Sequence, residues 1–248
     1  MRFGGFIVSH GSRLFKVSIV VWLALLANAQ ASAGVLEFSD TEFANADWIV
    51  ETVYSYGAGA TLDTAHSDTG GNPGACQITT GQLHVDPNVP SGIWRVYLDA
   101  DAVWDPATME PFQTASADFD VMFGWGNPGA ALRLVARQNN HLYGHPLALL
   151  LPPRWGWQNV GLGLEVNMGL LEQGGFDPQV QPDLSPTGAP LTFGFMLWQE
   201  LAPGATEAED TFAVDNWSMQ LHLVPEPSSA VLLLVSLAVV GHLRAARP

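Results

Sequence analysis

Two tryptophans on either side of a glycine, next to an arginine, are the residues of this chain best suited to stacking on a flat ligand. Trp155 and Trp157 flank Gly156. In an extended segment both indoles would point the same way beside Arg154. Paired indole faces stack on pyranose rings, and a planar guanidinium supplies hydrogen-bond donors at their rim. The competing expectation is that both join the core, as is expected of Trp48, Trp94, Trp104, Trp125, Trp198 and Trp217.

Acid chemistry has weaker support. Glycoside hydrolysis needs two carboxyl groups about 5 to 9.5 Å apart, one of them held protonated by its surroundings. Asp118 and Asp120 share a strand face, and Glu165 stands in the apolar run 161–166. All three are expected to be solvated face or edge carboxylates. Asp99, Asp101, Asp105 and Glu110 stand at relative positions 1, 3, 7 and 12. Trp104 occupies the place where an EF-hand loop requires glycine, so that loop is excluded. The same acids, or Asp63 with Asp68, or Asp215 with Asn216, could serve an irregular calcium site; the alternative role for each is capping a turn.

Other reactive groups are sparse. Cys76 is the one cysteine, so no internal disulfide can form, and it is expected to act as a small buried hydrophobe. His141 and His145 would share a helix face, but Gly144 and Pro146 oppose a helix, and two imidazoles are a poor zinc site. A strand-end or loop role is expected for them. The sequence has no Gly-x-Ser-x-Gly, no His-Glu-x-x-His and no phosphate loop. The chain is therefore expected to be non-enzymatic.

The elements that must position these residues read as strands. Residues 48–56, 93–98, 119–125, 131–138, 191–199 and 211–223 alternate and are rich in β-branched and aromatic types. Turn clusters at 68–74, 126–129 and 182–190 separate them. Many short strands between Gly- and Pro-rich turns predict an all-β fold of two packed antiparallel sheets.

Residues 34–223 are expected to form that single domain, and their charge is lopsided. Four arginines, 95, 133, 137 and 154, oppose 23 acids there, a net of −19 with no lysine. Such a surface repels nucleic acid, whose binding rests on clustered Lys and Arg.

Both ends read as targeting segments. Arg2, Arg13 and Lys16 precede an apolar stretch at 17–27, and Ala31-Ser32-Ala33 matches a signal-peptide cleavage site. Ala29-Gln30-Ala31 matches it as well, so the cut is expected after Ala31 or Ala33. At the other end Pro225-Glu226-Pro227 precedes an apolar run at 230–243 and a basic stop, Arg244 to Pro248. That run is shorter than the roughly 20 residues of a full span. Counting from Ser228, with Arg244 snorkelling, narrows the gap.

This tail resembles the PEP-CTERM sorting signal of Gram-negative bacteria. The resemblance implies an exosortase-type membrane protease as partner, with Pro225, Glu226 and Pro227 as the sorting motif, a transmembrane helix before processing, and a destination at the cell surface or in the extracellular matrix. An ordinary C-terminal anchor is the alternative. A second resemblance rests on Gly70-Gly71-Asn72-Pro73-Gly74-Ala75, Ala102 to Thr108, Ser116-Ala117-Asp118-Phe119, Pro190 to Phe195 and Val214-Asp215-Asn216-Trp217-Ser218. These are similar to landmarks of exported jelly-roll domains, the concanavalin-like, laminin-type and carbohydrate-binding-module sandwiches. They imply a jelly-roll-like sandwich associated with exopolysaccharide, and a structural calcium with Glu37 and Asp215 as candidate ligands. A secreted glycoside hydrolase or lyase on this fold, and a structural surface protein without ligand, are the alternatives.

Overall fold

Proline and glycine punctuate this chain often enough to leave it short extended runs and little room for helix. The computed structural model describes residues 34–224 except 59, 85–86, 125–128, 147, 152–155, 166–167 and 204–207. All regular structure among them is strand. The strands are β1 (Val35–Asp40), β2 (Trp48–Tyr56), β3 (Ala60–Gly71), β4 (Gly74–Leu83), β5 (Ser91–Trp104), β6 (Phe112–Phe123) and β7 (Gly129–Gln138). They continue with β8 (His141–Gly144), β9 (Leu149–Leu151), β10 (Gln158–Glu165), β11 (Gly169–Glu172), β12 (Gly175–Asp177), β13 (Leu191–Leu201) and β14 (Ala208–Leu223). The two targeting segments, including Pro225, Glu226 and Pro227, lie outside the described residues.

Two antiparallel sheets result, as the alternating pattern predicts. The first runs β10-β6-β14-β4-β3 with β1 added beside β14; the second runs β12-β11-β8-β7-β13-β5-β2 with β9 beside β7. Val35–Val224 forms one compact unit.

The space between the sheets is filled by alternate residues of facing strands. Ala115, Ala117, Phe119, Val121 and Phe123 of β6 meet Phe193, Phe195 and Leu197 of β13, while Thr114, Ser116 and Asp118 turn away. Phe195 sits between two ring partners: Tyr97 stacks on it at 4.7 Å and Phe119 at 5.6 Å. Trp217 and Trp48 close the cluster around Phe195, at 5.7 Å each. Offset rings at such separations add to the burial term. The Tyr97 hydroxyl is buried and bonds the Thr79 hydroxyl, so β5 of one sheet is tied to β4 of the other without leaving a polar atom orphaned.

Two local features hold these strands in place. Asp40 ends β1 and accepts from the Glu42 and Phe43 amides at 2.7 and 2.9 Å and from the Trp48 indole at 2.6 Å. That carboxylate orders a turn and aims Trp48 into the core together. At Gly194, where β13 shifts register against β5, an added methyl would lie 1.9 Å from the Tyr97 carbonyl oxygen. No side chain fits a contact that close.

Trp48, Trp104 and Trp217 are core, as expected, and Cys76 is fully buried. Burial raises the Cys76 thiol above its ordinary value and the nearby Asp215 charge adds to the rise, the reverse of what a nucleophilic thiolate needs. Trp125 lies outside the described residues. Trp94 is buried too, at 7% exposure, in a second cluster, whereas Trp198 departs from the expectation and is only half-buried.

Replacing Phe195 by Ala should lower the unfolding free energy by about 3 to 5 kcal/mol, the usual cost of a large core ring. A urea melt followed by tryptophan fluorescence measures it. A loss below about 1 kcal/mol would mean that Phe195 is not central to the packing.

Candidate functional site

The structure scatters several groups that the sequence seemed to collect. Glu37 is exposed on β1, opposite Gln220 of β14. Asp215 lies five positions back along β14, roughly 17 Å at strand rise, and is fully buried. Glu37 and Asp215 therefore do not form one calcium site. Asp215 accepts instead from the Asn72 amide and, at 2.6 Å, from that of Asn216. Among the described residues no group of three His, Cys, Asp or Glu side chains is arranged to hold a metal ion.

The acid pair on β6 shares the outer face, as expected, but differs in exposure. Asp118 is exposed, as expected of a solvated carboxylate, but Asp120 is buried. Asp120 is held by the side-chain amides of Asn216 at 2.8 Å, Asn159 at 3.0 Å and Asn72 at 3.4 Å. Three amides satisfy the carboxylate and tie β6, β10 and the β3–β4 turn together. Asp99 and Asp105 cap their own turns, receiving the amides of Asp101 and Ala107 at 2.9 Å each. His141 begins β8 and meets Glu172 at 3.3 Å, whereas His145 is buried just beyond the end of that strand. These are the strand-end positions expected of the two histidines.

Arg154 and Trp155 lie outside the described residues. Trp157 is half-buried just before β10. Gly156 has a φ of +102°, so the backbone is not extended there.

Among the described residues an aromatic row stands on the outer face of the second sheet. Tyr54 of β2 stands directly opposite Trp94 of β5, and Trp94 directly opposite Trp198 of β13. Tyr54 meets Trp94 edge-on at 5.6 Å, Trp94 meets Trp198 at 6.1 Å, and Tyr56 stacks on Tyr54 at 5.5 Å. The row crosses three strands at right angles to them. Beside it on the same face lie the buried apolar residues Val96, Leu98, Val135 and Met196, which with Trp94 form a cluster separate from the main core. Trp94 is thus buried in this second cluster and Trp198 half-buried beside it, neither of them between the sheets.

Strand phase explains both the row and why it was missed. With Tyr97 and Phe195 turned inward, Trp94 and Trp198 fall on the opposite face by period two. Because β5 is apolar on both faces, its composition does not say which face is which. One signal was available. On β7, Arg133 and Arg137 alternate with the core residues Leu132, Leu134 and Ala136. That places two of the four domain arginines on one outer face.

The sheet curves so that a hairpin from one edge reaches the other. The β11–β12 turn lies against Tyr54, where a methyl on Gly174 would stand 2.5 Å from the ring. Gln173 and Gly174 both have positive φ, 49° and 80°, as so tight a turn requires. Two recesses result, of about 520 and 350 Å³, with Tyr54, Trp94 and Gln173 common to both. Both volumes lie within the range of about 300–1,000 Å³ typical of small-molecule sites.

Polar groups rim each recess. In the larger one Arg137 pairs with Glu51, and His141 faces Glu172. In the smaller one the Tyr56 hydroxyl donates to Glu200 and accepts from the Trp198 indole at 3.3 Å. Burial first, and then the bond to Glu200, push the Tyr56 phenol up to about 12. A cleft with an aromatic floor and hydrogen-bonding rims can stack on a sugar ring while pairing with its hydroxyls.

No family model matches the chain, and no curated protein matches it. Solved structures do. Over 79% of its length the chain is similar to 99% of the family 11 carbohydrate-binding module of a Clostridium thermocellum cellulosomal cellulase, with 16% identity and a TM-score of 0.46. The Clostridium thermocellum family 11 module in complex with a β-1,3-1,4-mixed-linked tetrasaccharide matches 77% of this chain and 97% of its own, with 16% identity and a TM-score of 0.45. A xylan-binding domain from Paenibacillus barcinonensis matches 79% of this chain and 99% of its own, with 14% identity and a TM-score of 0.36.

The raised phenol makes the site's polar rim testable without a ligand. A phenol that ionises later in the folded protein than in the unfolded chain contributes stability below about pH 10, which is lost as pH rises toward about 12. Tyr56→Phe should remove one late-titrating phenolate from the alkaline absorbance titration and soften the fall in stability over that window. If the phenolate that is lost titrates near the ordinary value of about 10, Tyr56 is not held by Glu200.

Proposed function

We propose that this chain is an exported, non-catalytic carbohydrate-binding protein that holds polysaccharide in the cleft of its second sheet. The observation that carries the reading is the register row Tyr54, Trp94 and Trp198, three aromatic side chains lined up across adjacent strands on the floor of an open cleft. Aromatic rings gathered on an outer sheet face, away from the main core, form a platform for stacking. The rims add donors and acceptors suited to sugar hydroxyls. The three carboxylates of the cleft are engaged, Glu51 by Arg137, Glu172 by His141 and Glu200 by Tyr56. That favours holding a glycan over cleaving it, because hydrolysis needs one acid held as a proton donor.

Its destination is the cell surface or the surrounding matrix, through removal of residues 1–33 and processing at Pro225-Glu226-Pro227 by an exosortase-type membrane protease. The sequence patterns at both ends support this part of the reading. An acidic domain without lysine suits an extracellular polysaccharide matrix and not a nucleic acid.

Two experiments test the two halves. On a glycan array the protein should bind at least one polysaccharide class, and Trp198→Ala or Tyr54→Ala should weaken that binding at least tenfold, about 1.4 kcal/mol. Both rings are half-buried at the surface, so the melting temperature should move little. Glycan binding untouched by either change would remove the cleft from consideration. For the export half, intact-mass spectrometry on material from the native host should find neither Met1 nor Pro248. Recovery of the tail 244–248 in the surface pool would sink the sorting reading alone.

A further inference from the structure

We propose that the smaller recess is a subsite for the carboxylate of an acidic sugar, with Arg133 as the residue that binds it. This rests on the carbohydrate-binding reading and names the ligand class within it. Arg133 projects from β7 into the recess lined by Tyr54, Tyr56, Phe176, Trp198 and Glu200. Its Nε and Nη1 are buried and have no hydrogen-bond partner, and no carboxylate among the described residues pairs with it. Arg137, two positions along the same face, differs in this respect: Glu51 neutralises it.

The contacts Arg133 does make fall short of what a buried cation needs. Its guanidinium carbon lies 5.8 Å from the centre of the Phe176 ring. A cation over an aromatic face gains less than taking an ion out of water costs. Burial accordingly lowers the affinity of Arg133 for its proton. A carboxylate that enters the recess brings the negative charge that the guanidinium lacks and acceptor oxygens at its open edge.

The surrounding charge narrows the ligand further. Glu51, Glu172 and Glu200 line the two recesses, and the whole domain carries −19. Dense polyanions are repelled by such a field, and non-specific attraction of any polyanion is excluded by its sign. What fits is an isolated carboxylate, one uronic acid among neutral sugars. The neighbours then stack on the half-exposed Trp198 and Tyr54, on either side of the buried Trp94, while the acid enters the recess.

The test uses full-length protein and oligosaccharides from several bacterial polysaccharides that carry one glucuronate per repeat. Each is measured by calorimetry before and after chemical reduction of its carboxyl to an alcohol. At least one acidic oligosaccharide should bind ten or more times tighter than its reduced twin. Arg133→Gln should erase that difference while leaving the reduced form bound as before. Arg133→Lys keeps the charge and the stem without the fork; it should retain part of the preference, and it guards against a Gln variant that does not fold. Equal binding of acidic and reduced forms, or a preference that survives Arg133→Gln in folded protein, overturns the subsite. Binding of neutral glycans alone overturns it too, and leaves the carbohydrate-binding reading intact. No binding to any member overturns both.

Discussion

The packing of Phe195 between Tyr97 and Phe119 sets the phase of everything around it. A strand has only two faces, so once Phe195 and Tyr97 point into the sandwich every second residue on β13 and β5 is committed outward. Trp198 and Trp94 are committed by that rule, and pairing between the strands places them side by side. The aromatic row is thus a consequence of the core. A slip of one residue on either strand would bury the platform and expose the stack.

The rest of the site depends on departures from regular strand. Val50 and Tyr54 on β2 have the same parity, and in an unbroken strand they would share a face. Val50 packs against the main core, yet Tyr54 joins the outer cluster. The register shift between Thr52 and Tyr54 separates them. A bulge re-aims a side chain in this way. The β11–β12 turn then closes on Tyr54, so the irregular residue on one edge meets the irregular turn from the other.

Charge and burial act in opposite directions here. An acidic surface keeps the domain soluble and repels anions, while the cleft holds two of its arginines, one neutralised and one not. Partial burial makes the unpaired guanidinium costly in isolation and strong toward a matched partner, since the same low dielectric amplifies both effects.

The amino-acid sequence by itself determined the class of fold and the character of the surface. Alternation in 48–56, 131–138 and 191–199, cut by turns such as Gly70-Gly71-Asn72-Pro73, is a local property, and it was enough to specify two antiparallel sheets. Short strands such as β8, β11 and β12 carry too few residues for that period to show. The site was less legible. Arg133 and Arg137 were visible as outward positions, but the tryptophans that matter sit on β5 and β13, where both faces are apolar and composition cannot tell core from platform. Trp155 and Trp157 drew attention because they are neighbours in sequence, whereas Tyr54, Trp94 and Trp198 are neighbours only through strand pairing over long separations. Which face Phe195 occupies, where β2 bulges, and how far the β11–β12 hairpin reaches are decided by packing between distant segments, and only the tertiary structure holds that information.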